Sequence, residues 1–250
     1  MRGRGSASEG SENNPRCALS IAGSDPSGGA GVQADLKTFQ AHGVYGMAAV
    51  TALTAQNTQR VRWVQPVGPG GVRAQIRAVL EDLPVHAIKI GMLGDAAVAH
   101  AVMHALEGVE APIVLDPVLG ASTGAPLNED PKALFELASM ATLVTPNVEE
   151  LEALPWLEDL DVPLLITGGH GSGEVLVEVL GERVWEHSRI DSRNLHGTGC
   201  TLSSAIAARL ALGEELERAV EGALEWTWEL IATSASHRMG GGSGPLLHGL

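Results

Sequence analysis

The chain has 250 residues, 44% of them hydrophobic and 18% charged, with a formal net charge of −14, which suits one large aliphatic core. A surface this acidic repels nucleic acid and anionic membranes, so neither is an expected partner, and any site for an anionic ligand must draw positive potential from helix ends or a bound cation. Two cysteines make no disulfide framework, and no apolar run reaches the roughly 18 residues of a membrane span, so a reducing cytoplasm is the expected setting.

In chain order, residues 1–16 are rich in Gly, Ser and Asn, lack an apolar stretch, and read as a disordered tail rather than a signal peptide. Residues 17–250 read as a single domain. Cys17–Ala22 is a short apolar run that predicts a strand, and Gly29–Ala41 carries helical spacing at Val32, Leu36 and Phe39. Further strands are expected at Ala48–Leu53, Ala87–Ile90, Ile113–Leu115, Leu143–Thr145 and Leu164–Thr167. Helices are expected between them, at Val72–Leu83, Ala96–Leu106, Pro131–Ser139 and Val148–Leu154. Apolar strands alternating with helices imply a mostly parallel sheet covered on both faces. After Thr167, Val175–Leu180 and Arg183–His187 flank Gly181 as an antiparallel hairpin at one sheet edge. Helices follow at Cys200–Leu210 and Leu216–Ser236, and Gly240–Leu250 is a loop.

Open α/β sheets bind ligands beyond the carboxyl ends of their strands, so the residues there are the candidates. The glycine-rich run Ala22–Gly31 follows the first strand and lets backbone N–H groups approach a ligand. Without a Lys it is no Walker A loop, and alone it serves equally as a turn with an N-cap. His196-Gly-Thr-Gly-Cys200 opens a helix, where successive amides form an anion site for a transferring phosphoryl group. Cys200, in that first turn, is expected to have a depressed thiol pKa and to act as general base for a substrate hydroxyl; a small-residue helix start with a buried cysteine is the plainer alternative. His196 and Cys200 have no second ligand pair for zinc.

Asp116 ends one strand, and Glu150 sits in the first turn of the helix after Thr145-Pro-Asn147. Two carboxylates at neighbouring strand ends suit magnesium; a turn and a helix-dipole interaction explain them without it. Gln56, at a strand end, offers a paired donor and acceptor to a heterocycle, and Met92 offers a pocket wall or core filler. Gly120-Ala-Ser-Thr-Gly124 matches the nucleophile elbow of hydrolases but lacks the strand before it and the helix after it.

Taken together and in order, Ala18–Phe39, Tyr45-Gly46, Thr51–Thr58, Lys89–Leu93, Leu115–Val118, Thr145–Asn147 and His196–Ser203 resemble the motifs of the hydroxymethylpyrimidine/phosphomethylpyrimidine kinases of thiamine biosynthesis, within the ribokinase superfamily. The resemblance runs from about Cys17 to Gly244-Pro245. It implies a ribokinase-like three-layer α/β sandwich. It implies phosphoryl transfer from ATP, with Mg2+, to the hydroxymethyl group of 4-amino-5-hydroxymethyl-2-methylpyrimidine and then to its monophosphate. A homodimer is the assembly it suggests. By the same resemblance Gln56 reads the pyrimidine edge, Ala30 and Asp35 lie in its pocket, and Gly23, Met92 and Val118 are walls. Gly197, Thr198 and Gly199 match the anion hole beside the catalytic Cys200, Asp116 and Glu150 the magnesium-linked acids, and Thr167 and Gly169 the nucleotide side.

The sequence also departs from the family. Thr167-Gly-Gly-His170 stands where relatives read Lys-Gly-Gly-His, and no lysine appears near Ser122. The lysines present are Lys37, Lys89 and Lys132. Phosphoryl transfer relies on neutralising charge, so the missing cations motivate a second reading, a non-catalytic pyrimidine binder on the same fold. A third is a pyridoxal-type vitamer kinase, which shares the fold and the Cys-containing motif. The stretch from Glu150 to Leu164 is short, with little room for the helix that relatives carry there.

Overall fold

The computed structural model of the chain describes residues 14–119, 131–169 and 173–249. The tail as far as residue 13, the elbow-like Gly120–Gly124 with Ser122, and His170 lie outside the described residues.

Six strands form the main sheet in the order β3 (Arg60–Pro66), β2 (Tyr45–Asn57), β1 (Cys17–Ser24), β4 (Ala87–Ile90), β5 (Ile113–Leu115) and β6 (Leu143–Val144). Every neighbouring pair is parallel except β2–β3. A second, antiparallel sheet holds β7 (Leu165–Ile166), β8 (Val175–Leu180) and β9 (Arg183–Ser188). Parallel bridges Val144–Leu164 and Asn147–Thr167 attach it beside β6, so the expected edge hairpin is present with one more strand.

Side-chain alternation sorts the sheet into two faces. Leu19 and Ile21 of β1, with Ile88, Ile90 and Leu115, face a core built with α2 (Pro69–Leu80), α3 (Ala96–Leu106) and α4 (Pro131–Ala138). Ala18, Ala87 and Val114 face the other core, under α1 (Gly31–Ala41), α6 (Thr198–Ala211) and α7 (Leu216–Ala235). The result is the expected three-layer sandwich. Small alanines on this second face let α1 and α6 approach closely. The same period carries Ser20, Lys89 and Asp116 under these two helices toward the carboxyl end of the sheet. No described helix is long and apolar enough to cross a membrane.

The stretch after β6 is short, as expected, while one strand departs from expectation. After β6 the chain makes only the short α5 (Val148–Ala153) and a 3-10 turn at Pro155–Asp159, whose Leu157 is fully buried. Strand β3 was not apparent in the sequence, and β2 runs on to Asn57 to pair with it, Ala55 opposite Trp63 and Asn57 opposite Arg60. Arg60 and Arg62 break any apolar period, and most of β3 is exposed. Its order comes from backbone pairing and from the turn, where Asn57 Oδ1 accepts from the N–H of Gln59 at 3.0 Å and of Arg60 at 3.1 Å.

Candidate active site

Strand order reverses at β1, because β2 lies on one side of it and β4 on the other. A crevice at the carboxyl end of β1 is the expected ligand position in such a sheet. Two loops meet there: residues 24–30 after β1 and residues 193–197 before α6. Gly197 caps α6 in a left-handed conformation, φ +80°. A Cβ on it would lie 1.8 Å from the carbonyl oxygen of Gly29, so only glycine permits this approach. Thr198 N–H turns back to Leu195 O at 3.3 Å, and Thr201 N–H bonds Gly197 O at 2.8 Å. The N–H groups of Gly199 and Cys200 have no partner among the described residues. They carry the partial positive charge of a helix start.

Asp25 ties the two loops together. Its buried carboxylate accepts from Ser27 N–H at 2.8 Å, Ser27 Oγ at 2.9 Å, Gly29 N–H at 3.2 Å and Ala30 N–H at 2.9 Å. His196 Nε2 reaches the same carboxylate at 2.8 Å across 171 residues of sequence. Burial pushes the Asp25 carboxyl pKa up, but the hydrogen bonds from His196 and Ser27 outweigh it and hold the group below the usual carboxylate range. Gln56 Nε2 lies 3.1 Å from His196 Nε2, which places Gln56 at the rim of the crevice.

Beneath α6 lies a buried ionic network. Lys89 Nζ bonds both oxygens of Asp35, at 3.0 and 3.1 Å, with both side chains fully buried. Ser20 Oγ donates to Asp35 at 2.6 Å and Ser204 Oγ at 2.8 Å. Lys89 also stands 3.9 Å from Asp116 Oδ2. Burial alone would lower the lysine's pKa, but the charges of Asp35 and Asp116 and the hydrogen bond to Asp35 raise it above the ordinary value. Both oxygens of Asp35 are therefore occupied by Lys89, Ser20 and Ser204.

The expected depressed pKa of Cys200 is overturned. Burial pushes the thiol up to about 12, and the Asp116 and Asp35 carboxylates add to it. Lys89 and the Gly31 N–H oppose that rise without cancelling it. A helix start alone suggests a thiolate; burial reverses the sign, with two carboxylates from other elements adding to it.

Asp116 is itself raised, by burial first and Asp35 next, against Lys89 and a hydrogen bond from Ser203 Oγ at 3.3 Å. Glu150 is pushed up to about 8, by burial and then by Asp116. It closes a capping box on α5: Glu150 Oε2 accepts from Asn147 N–H at 3.0 Å, and Asn147 Oδ1 accepts from Glu150 N–H at 2.8 Å. Glu150 thus serves the helix start and shares one electrostatic field with Asp116. Two hard carboxylates, one of which raises the proton affinity of the other, are a donor set that a divalent cation relieves, so the residues fit magnesium. No cluster of three or more candidate ligands exists among the described residues, so such an ion would complete its shell with water or phosphate oxygens.

The remaining candidates fall at or after the carboxyl ends of β1, β4, β5 and β7. Gly23 abuts Met92, whose Sδ would lie 2.9 Å from a Cβ at position 23. Met92 O accepts from Thr51 Oγ1 at 2.6 Å, and Val118 N–H folds back to Asp116 O at 2.8 Å. Thr167 N–H donates to Pro146 O at 3.0 Å and its carbonyl accepts from Val148 N–H at 3.2 Å. Gly169 stands against Asn147, so this pair borders the start of α5 near Glu150. Lys37 turns to Gly28 O at 2.7 Å, leaving Lys89 as the lysine within the acidic network. Sequence reasoning assigned no role to Asp25, Lys89 or His196. A lysine inside the apolar run Ala87–Ile90 and an Asp two residues before Ser27 were their only local signals.

A family profile described as phosphomethylpyrimidine kinase matches residues 25–161 and 157–247. A Streptomyces coelicolor protein named hydroxymethylpyrimidine/phosphomethylpyrimidine kinase is 40% identical over 260 residues, covering 94% of this chain and 95% of that one. A solved phosphomethylpyrimidine kinase from Clostridium difficile superposes with a TM-score of 0.71 at 36% identity, over 85% of this chain and 98% of the other. The solved ADP complex of Bacillus subtilis pyridoxal kinase gives a TM-score of 0.81 at 33% identity, over 94% and 98%. With sequence kinship running through the loops that build the crevice, the chain belongs to the phosphomethylpyrimidine kinase family.

Proposed function

We propose that the chain transfers the γ-phosphoryl group of ATP to the hydroxymethyl oxygen of 4-amino-5-hydroxymethyl-2-methylpyrimidine, and then to the resulting monophosphate, as a cytoplasmic enzyme of thiamine biosynthesis. The observation that carries the reading is the pair of unpartnered amides, Gly199 and Cys200, at the start of α6 beside the Lys89–Asp116 network. In this reading the acceptor ring lies against Gln56, Gly23, Ala30, Met92 and Val118. The nucleotide runs along Thr167 and Gly169, and its terminal phosphate meets the Gly197–Gly199 turn. Magnesium bound by Asp116 and Glu150 would neutralise phosphate oxygens.

Cys200 takes the proton from the acceptor hydroxyl. Its thiol is protonated at rest, chiefly through burial, so it acts as a base only after it has given its own proton to solvent, a loss that Lys89 favours and that offsetting the negative field of Asp116 eases. The buried lysine stands in part for the cations that relatives carry in their loops. The acidity of the chain leaves nucleic acid and membranes aside as partners, and a homodimer is the assembly this reading expects.

Phosphorus NMR on protein, magnesium, ATP and the pyrimidine tests the reading. A phosphomonoester followed by a diphosphate, with one ADP released per transfer, is expected. Saturable pyrimidine binding without ADP would leave only a binding protein. The pyridoxal kinase neighbour supports a second acceptor class, so pyridoxal is tested in competition. A kcat/KM for pyridoxal above that for the pyrimidine would transfer the assignment to it.

A further inference from the structure

The contact among Asp25, His196 and Gln56 constrains where hydrogens sit. Four donors other than His196 already point at the Asp25 carboxylate: Ser27 N–H, Ser27 Oγ, Gly29 N–H and Ala30 N–H. That crowd leaves no favourable seat for a proton, so Asp25 is ionised and accepts. His196 Nε2, 2.8 Å away, must then carry a hydrogen and donate it. A bare Nε2 would set its lone pair against a carboxylate. Gln56 Nε2 also lies 3.1 Å from His196 Nε2. With that ring hydrogen committed to Asp25, two N–H donors face each other. Turning the amide by half a rotation about its last torsion removes the conflict, because Oε1 then shares the His196 hydrogen.

We infer that Asp25 and His196 are positioning residues that fix the order of the Gln56 amide, with Oε1 toward His196 and the NH2 group presented to the acceptor pocket. The inference rests on the reading above, in which Gln56 faces the acceptor ring. It adds a chemical selection rule. The NH2 group seeks a bare ring nitrogen, and the second lone pair of Oε1 seeks an adjacent exocyclic amine. The favoured acceptor edge is N=C–NH2, as in a 4-aminopyrimidine. The lactam edge, N–H beside C=O, sets donor against donor and acceptor against acceptor. Nothing local in the sequence suggests this link, because the residues lie on the β1 loop, the end of β2 and the turn before α6.

The test is kcat/KM for the 4-amino acceptor and its 4-oxo counterpart, in wild type, Asp25→Asn and Gln56→Glu. Sites that hydrogen-bond a substrate reject mispaired analogues by factors up to about 10⁴–10⁵; wild type is expected to favour the amino compound by at least about 100-fold. Asn at position 25 can offer an N–H to His196 Nε2, which then becomes an acceptor and lets Gln56 reverse. The preference is expected to fall at least about tenfold in Asp25→Asn, mainly through KM, and to collapse in Gln56→Glu, whose carboxylate only accepts and so pairs with one group of either edge. An active Asp25→Asn enzyme with full discrimination would overturn the inference. If that variant does not fold, the ¹⁵N spectrum of wild-type His196 decides: a protonated, pyrrole-type Nε2 supports it and a bare Nε2 overturns it. Turnover of both acceptors alike defeats this inference alone. Turnover of neither defeats the proposed function and the inference with it.

Discussion

Lys89 and Asp35 are both fully buried, so removing either strands a charge under α1 and α6. Breaking such a pair costs about 3–5 kcal/mol, whereas replacing both partners with apolar groups is often neutral. Lys89→Met is expected to lose stability of that order in urea titration, and Lys89→Met combined with Asp35→Leu to recover most of it. Equal stability of the single variant and wild type would show that the network carries little strain on folding. Glu150 gives a pH signature. Its pKa in the folded, metal-free protein is about 8 against an ordinary 4.5, so between those values the folded state holds a proton that the unfolded chain has released. Stability from this group is therefore present at low pH and lost as pH rises toward 8. His248, lowered by burial to about 4, contributes in the opposite sense in acid. The difference between wild type and Glu150→Gln isolates the carboxylate: the melting midpoint of wild type should fall relative to the variant from about pH 5 to about pH 8, and saturating magnesium should abolish the gap. Residue roles were only partly legible in the sequence. Asp116 and Glu150 stand out at strand ends, but the Cys200 pKa depends on its burial first and then on Lys89, Asp116 and Asp35, which other elements bring beside it.

At the scale of elements, the loop after β1 and the start of α6 are fitted through Gly29 and Gly197. Gly197→Ala adds a Cβ where Gly29 O already stands, at φ +80°, and a non-glycine residue in the left-handed region costs about 1–2 kcal/mol before any clash. The variant is expected to be less stable in urea by at least that amount and to bind an ATP analogue more weakly by calorimetry, since the amides it positions are displaced. Unchanged nucleotide affinity would remove the turn from the phosphate site. The fully buried β4 and β5 and the amphipathic α3 were legible: they fall at the expected residues because continuous apolar runs and helical spacing record burial directly, and β8 also falls where expected although Val175 and Val177 are exposed. Strand β3 was not, because an exposed strand bearing Arg60 and Arg62 owes its order to β2.

Over the whole molecule, a chain of net charge −14 is set to bind a polyanion. The topology resolves that conflict locally. The fold brings Lys89, Asp116 and the α6 amides to one end of the sheet. Motif order in the sequence foretold which loops meet at that end. It did not foretell how they are joined, because the Asp25–His196 contact closes over 171 residues. Amide-resolved NMR of ¹⁵N-labelled protein during titration with a non-hydrolysable ATP analogue, magnesium and the pyrimidine probes that end of the sheet directly. Downfield shifts of the Gly199 and Cys200 amides that saturate with the nucleotide are predicted, since these N–H groups gain a phosphate acceptor. Amides that stay put while the nucleotide binds would contradict phosphoryl transfer at this turn.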